Sequence, residues 1–165
     1  MNIYLIGFMG SGKSSVALKM NQMYGMTVVE MDQTLVDREG MSINKIFEEK
    51  GEEYFRVKET ELLEELSNQD DRVVSCGGGV ATRIENIELM KSSGRVILLS
   101  ATPETIYERV KDNTDRPLLN GHMNVPYIAE MIEKRRPMYM TAADDVIIVD
   151  EKTPEEICQE IHDIN

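Results

Sequence analysis

Gly7-Phe8-Met9-Gly10-Ser11-Gly12-Lys13-Ser14 follows the apolar run Ile3-Tyr4-Leu5-Ile6 and precedes a helical pattern. The spacing G-x-x-x-x-G-K-S is that of a phosphate-binding loop. Its glycines let backbone N–H groups turn inward against a polyphosphate. Lys13 can reach the terminal phosphates and the Ser14 hydroxyl can ligate Mg²⁺. The helix that starts near Lys13 points its positive end at the anion.

Four further groups of residues carry chemistry. Glu30-Met31-Asp32 sits at the end of the second apolar run, where ligands bind in open parallel sheets. Two carboxylates so spaced face different ways. One can hold the water shell of a metal and the other can accept a hydroxyl proton. The strand before the glycine run does not end in the Asp of the usual second nucleotide motif, and Asp150 after Val146-Ile147-Ile148-Val149 reads as a strand-end turn residue, so the Mg²⁺ carboxylate is Glu30 or Asp32. Gly77-Gly78-Gly79 after Cys76 is costly to order and suits a backbone that must lie against a ligand. Arg56, beside Phe55, is a possible carboxylate clamp, because guanidinium pairs bidentately with carboxylate. Read alone, however, Arg56 and Glu59 make a surface i,i+3 ion pair. The last third holds Arg109, Arg116 and Arg135-Arg136, followed by Pro137 and Tyr139. An arginine carried on a lid can stabilise charge on a transferring phosphoryl group.

These groups need elements to position them. Short Val/Ile-rich runs at 2–6, 27–30, 73–76, 96–100 and 146–149 predict strands. Amphipathic stretches at 13–24, 33–39, 43–67, 83–92, 103–110, 126–140 and 154–164 predict helices. Strands of nearly unbroken apolar character suit a parallel sheet covered on both faces, and the alternation predicts a three-layer α/β domain. Ser42, Thr102 before Pro103 and Thr153 before Pro154 read as helix N-caps. Gly25 and Gly94 read as the glycines that close helices in a left-handed conformation. The polar stretch at about 111–124 lacks periodicity and reads as a mobile lid between two helices.

The totals narrow the class. A chain of 165 residues predicts one domain spanning 1–165. The net charge of −12, from 18 basic and 30 acidic residues, argues against a nucleic-acid surface. Any anion must therefore be caught by a local cluster of cations. The acidic surplus at Glu48, Glu49, Glu52 and Glu53, and again at Glu59, Glu61, Glu64 and Glu65, reads as a solubilising face. No apolar run approaches 18 residues and no leader pattern opens the chain, so neither a membrane span nor a secretory signal is expected. Cys76 and Cys158 suggest no disulfide framework, and a cytoplasmic location is expected.

Taken together, the motifs resemble the shikimate kinase family over nearly the whole chain. The family's Asp-x-Asp, Phe-Arg, Gly-Gly-Gly, Arg-Pro-Leu and Arg-x-Pro-x-Tyr correspond to Glu30-Met31-Asp32, Phe55-Arg56, Gly77-Gly78-Gly79, Arg116-Pro117-Leu118 and Arg135-Arg136-Pro137-Met138-Tyr139. The resemblance implies a P-loop kinase fold, an α/β three-layer domain with a five-stranded parallel sheet and a lid. It implies ATP- and Mg²⁺-dependent phosphorylation of the 3-hydroxyl of shikimate, a step toward chorismate and the aromatic amino acids. By the same resemblance Gly10, Ser11, Gly12, Lys13, Ser14, Ser15, Arg109 and Arg116 bind ATP. Lys13, Asp32 and Arg116 are catalytic, with Asp32 the candidate base. Shikimate is held by Asp32, Arg56, Gly77, Gly78, Gly79 and Arg135, the two arginines taking its carboxylate. Ser14 holds the metal, and Glu30 acts through water, since it stands where the family has Asp. The acceptor region spans about 32–60, and a monomer is expected.

The competing readings are a kinase of another small hydroxy acid, such as gluconate, and a nucleoside monophosphate kinase. A GTP-dependent switch would carry Asn-Lys-x-Asp, whereas Asn44-Lys45 is followed by Ile46-Phe47.

Overall fold

The computed structural model describes residues 1–111 and 124–164. Five strands form one sheet: β1 (Asn2–Ile6), β2 (Thr27–Glu30), β3 (Arg72–Ser75), β4 (Gly94–Ser100) and β5 (Asp145–Ile148). Their order is β2-β3-β1-β4-β5 and every pairing is parallel. The helices are α1 (Lys13–Tyr24), α2 (Met31–Glu39), α3 (Ile43–Lys50), α4 (Glu52–Ser67), α5 (Ile84–Ser93), α6 (Pro103–Val110), α7 (Val125–Ala142) and α8 (Pro154–Ile164). Among the described residues no helix is long and apolar enough to cross a membrane.

Alternation along the strands feeds two cores. Ile3, Leu5, Val73, Ile97 and Leu99 face α1 and α8, where Val16, Met20, Ile157 and Ile161 cover them. Tyr4, Ile6, Val74, Val96 and Leu98 face the other way, onto Leu62, Leu63 and Leu66 of α4, Ile87 and Met90 of α5, and Tyr139 of α7. Each fully buried aliphatic side chain contributes about 1.5–3 kcal/mol relative to exposure, so both layers are needed to hold β1 at the centre. A third cluster of Phe8, Met9, Ile106, Val110 and Ile128 packs α6 and α7 over the loop after β1. Thus the loop that bears the phosphate motif is clamped from above as well as from the sheet.

The apolar runs reflect two-sided burial only in the middle of the sheet. β1 is buried at every position. On the β5 edge Ile147 is buried, while Val146 and Ile148 are 45% and 61% exposed. Their chemistry is that of a central strand, but among the described residues no helix buries that face of the edge.

The expected caps form. Ser42 accepts from the Lys45 amide at 3.2 Å and Thr102 from the Thr105 amide at 3.2 Å. Thr153 and Glu156 exchange side chain-to-amide bonds, a reciprocal capping box. Gly25 closes α1 at φ 72 with its amide on Asn21.

Three expectations need correction. The helix expected over 43–67 is two helices, because Gly51 sits at φ 90, ψ 160, a conformation nearly confined to glycine. The second helix of the chain begins at Met31 rather than Gln33, so β2 runs into α2 without a loop and Asp32 lies in the first helical turn. Gly94 is not a left-handed cap. Its φ is −175, and it opens β4. A Cβ there would lie 2.2 Å from the Asn2 carbonyl oxygen, so its glycine is demanded by the closeness of β1.

Gly94→Ala should therefore cost about 2–4 kcal/mol through overpacking of backbone on backbone. Gly25→Ala, where nothing lies within 4 Å of the added carbon, should cost about 1 kcal/mol from its left-handed φ alone. Urea unfolding of both variants checks this; equal losses would contradict the close-approach account.

Candidate active site

The loop between β1 and α1 carries positive φ at Gly7, Gly10 and Gly12. Gly12 is the N-cap of α1 and supplies no side chain, so the first amides of α1 remain turned toward the cleft. Lys13 is buried, and its Nζ donates to the Gly7 and Phe8 carbonyls at 2.8 and 3.1 Å. The ammonium is thereby folded back on its own loop, over the cradle. Ser11 is buried with an Oγ that has no hydrogen-bond partner, while Ser15 is exposed on the first turn. Arg109 of α6 reaches over the loop, its Nη1 donating to the Gly10 carbonyl at 3.1 Å. The Ser14 hydroxyl donates to Glu30 Oε2 at 2.9 Å.

Because β2 passes straight into α2, Glu30 and Asp32 diverge. Glu30 turns to Ser14 and the phosphate loop. Asp32 turns to the glycine run after β3. A cleft of about 790 Å³ joins the two, continuing past the loop to Arg109, Lys152 and Pro154.

The glycine run is packed against charged side chains on all sides. A Cβ on Gly77 would lie 2.7 Å from Asp32 Oδ1 and 2.9 Å from Glu59 Oε2. A Cβ on Gly79 would lie 2.6–2.8 Å from the Arg56 guanidinium. The Gly78 carbonyl accepts from Arg135 Nη1 at 3.0 Å and from the Tyr139 hydroxyl at 2.8 Å. None of the three glycines has a positive φ. The run is bare because site side chains occupy the space that its own would fill.

Arg56 and Arg135 converge on this wall from α4 and α7. Arg56 lies 5.5 Å from the Phe55 ring centroid and 5.9 Å from that of Phe47, and Arg135 lies 5.4 Å from that of Phe8. Stacking on ring faces orients the guanidinium planes and excludes water from one side. Arg56 Nη1 donates to Glu59 at 2.8 Å, and its Nη2 pairs with Glu52 at 3.2 Å.

The Arg56–Glu59 pair is not the surface ion pair expected from its spacing. The Arg56 side chain is 12% exposed and that of Glu59 is fully buried. Burial pushes the Glu59 carboxyl up to about 7; Arg56 opposes that rise, and Asp32 adds to it. Nor does Glu59 belong to the solubilising face. It lies four residues after Phe55 and three before Leu62, on the buried stripe of α4. That periodicity was the available signal for it.

Other contributors had no such signal. Asn86, buried on α5, donates to the Val80 carbonyl at 2.9 Å and accepts from Thr60 at 2.7 Å, which also bonds the Arg56 carbonyl. It ties the glycine wall to the turn that bears Arg56. Lys152, in the turn before α8, and Pro154, the first residue of α8, reach the cleft from far off in sequence. Arg136, beside Arg135, turns away and pairs with Glu133 at 2.7 Å. Asp150 accepts from Thr102 and Thr105 at the start of α6, as befits a strand-end turn residue. Arg116 and the expected lid core lie outside the described residues.

The family model for shikimate kinase matches residues 9–164. A shikimate kinase of Dehalococcoides mccartyi is 43% identical over 162 residues, 98% of this chain and 92% of that one. The solved structure of the shikimate kinase from Acinetobacter baumannii in complex with shikimate superposes with a TM-score of 0.94 at 31% identity, covering 99% of this chain and 91% of that one. The structure of the Aquifex aeolicus shikimate kinase gives a TM-score of 0.84 at 41% identity, covering 98% and 94%. The chain belongs to the shikimate kinase family.

Proposed function

We infer that this chain transfers the γ-phosphoryl group of ATP to the 3-hydroxyl of shikimate, giving shikimate 3-phosphate and ADP. The observation that carries the division of labour is the divergence of Glu30 and Asp32. One carboxylate, held by Ser14, serves the phosphate end; the other serves the end walled by glycine and arginine.

At the phosphate end, the N-terminal amides of α1 and the glycine amides cradle the β- and γ-phosphates. Lys13 exchanges its two loop carbonyls for phosphate oxygens. Arg109 on one side and Pro154 on the other flank the space for the base. Ser14 would hold Mg²⁺ directly and Glu30 through a water of its shell, and the ion would neutralise charge on the transferring phosphates. The hard oxygen donors of Ser14 and Glu30, 2.9 Å apart, fit that ion. Among the described residues no cluster of three or more His, Cys, Asp or Glu could hold a metal alone. Such a sparse set suits an ion that keeps several waters and takes its remaining oxygens from phosphate.

At the acceptor end, Arg56 and Arg135 take the carboxylate of shikimate and the backbone of Gly77, Gly78 and Gly79 lies against its ring. Asp32 accepts a hydrogen bond from the 3-hydroxyl and receives its proton as the oxygen attacks. In this reading that hydroxyl meets the phosphoryl group in line from the glycine wall, and positioning is most of what phosphoryl transfer requires. Arg116, outside the described residues, has the role of stabilising charge on the transferring phosphoryl group in this reading. The chain acts as a monomer in the cytoplasm in this reading; the two thiols, Cys76 and Cys158, are free and buried.

A coupled ADP-release assay with shikimate, gluconate and AMP tests the acceptor. Turnover should require shikimate; turnover with AMP but not shikimate would reverse the reading. Asp32→Asn should lower kcat about 10²-fold or more and leave the KM for ATP within about twofold; unchanged kcat would remove Asp32 from the proton path. Gly79→Ala should displace the Arg56 guanidinium and raise the KM for shikimate about tenfold or more, the loss of one charged hydrogen-bonded contact, while sparing the KM for ATP. Equal effects on both substrates would contradict a role confined to the acceptor end.

A further inference from the structure

Among the described residues Glu59 is the one buried carboxylate, and the phosphoryl transfer above has no use for it. Its Oε1 accepts from Arg56 at 2.8 Å, and its Oε2 is buried with no hydrogen-bond partner. A buried carboxylate oxygen left bare is costly when the group is ionised and much less so when it carries a proton. The same Oε2 faces Asp32 Oδ1 across Gly77. The two oxygens are at most 5.6 Å apart, the sum of their distances from the point where a Gly77 Cβ would stand.

Charge in this pocket is nearly balanced. Arg56 on α4 and Arg135 on α7 supply two positive charges; Glu59 on α4 and Asp32 on α2 supply two negative ones. The remaining neighbours change little. Glu52 on α4 is half exposed, with water to screen it. The Tyr139 hydroxyl on α7 and the Cys76 thiol after β3 are both shifted upward by burial and stay neutral. A carboxylate arriving on Arg56 and Arg135 would leave one uncompensated negative charge beside an oxygen that has no donor.

Building on the acceptor-end reading above, we propose that Glu59 shares Arg56 with the acceptor's carboxylate and takes up a proton from solvent when that carboxylate binds. The new O–H bond forms at Oε2, the proton comes from the buffer, and the pocket returns to neutrality. Glu59 is then a positioning residue. Ionised, it holds Arg56 flat against Gly79 in the empty pocket; protonated, it releases part of that guanidinium to the acceptor. Its ordinary value is displaced to about 7 before any acceptor arrives, so the exchange falls within the physiological range.

The test is calorimetry of shikimate binding to the full chain without nucleotide, in PIPES, HEPES and Tris at pH 7. The dependence of heat on buffer ionisation enthalpy counts protons. Uptake of a substantial fraction of one proton is expected. The Kd should rise about five-fold from pH 6 to pH 8 if binding lifts the proton affinity by one further pH unit. Glu59→Gln, which mimics the protonated group, should bind shikimate with a flat pH profile and no uptake. The methyl ester of shikimate should cause none in the unaltered chain. Zero uptake in the unaltered chain would overturn the proposal without any variant, as would undiminished uptake in Glu59→Gln. Arg56→Ala separates the two levels. Unchanged shikimate affinity in that variant would sink the acceptor-end reading itself, whereas weakened affinity beside zero uptake in the unaltered chain would sink only the proton linkage.

Discussion

The bare backbone of Gly77, Gly78 and Gly79 is the constraint on which the site depends. Four charged side chains from three different helices press against it: Asp32 from α2, Arg56 and Glu59 from α4, and Arg135 from α7. Any side chain on Gly77 would collide with both carboxylates, and any on Gly79 with the guanidinium. The run itself hangs from the end of β3, which lies between β1 and β2 in the sheet. The phosphate loop leaves β1 and the carboxylate pair leaves β2. Adjacent parallel strands therefore deliver the glycine run, the phosphate-motif loop and the two acids to one edge.

Such a concentration of buried charge is expensive. Removing ions from water costs several kcal/mol each unless geometry and hydrogen bonds offset it. Here the offset is incomplete: Glu59 keeps one oxygen without a partner. The rest of the fold supports the arrangement with ordinary apolar packing: three clusters close around the sheet and over the phosphate loop. A chain with net charge −12 can still set Arg56 and Arg135 side by side in one pocket, because its acidic surplus is spread over solvated helix faces where water screens it.

Much of the architecture was legible in the residues. All five strands and most helices lie where the apolar runs and caps place them, because parallel central strands and capped amphipathic helices have local signatures. What escaped was set by distant contacts. Gly94 looked like a helix cap, yet it is glycine because Asn2 runs beside it. Gly51 looked tolerable inside a long helix, yet its conformation divides the helix in two. Val146 and Ile148 match central-strand chemistry but lie on an edge. In the site, the phosphate loop and the different facings of Glu30 and Asp32 followed from residue type and spacing, whereas Arg56 read alone looked like half of a surface ion pair, and only the family resemblance set it beside Arg135. Glu59 was hidden in an acidic run whose other members face solvent, although its place on the Phe55–Leu62 stripe marked it as buried. Asn86 and Pro154 carry no motif, and only the tertiary structure brings them to the wall and the cleft.

The central claim is that one pocket grips a hydroxylated acid between the glycine wall and two arginines while Asp32 faces the hydroxyl to be phosphorylated. A crystal structure of the chain with ADP, Mg²⁺ and shikimate tests it most directly. The account predicts the shikimate carboxylate on Arg56 and Arg135, the ring against Gly77–Gly79, and the 3-hydroxyl within about 3 Å of an Asp32 oxygen. A carboxylate seated on Lys13, or a ring bound away from the glycine wall, would contradict it.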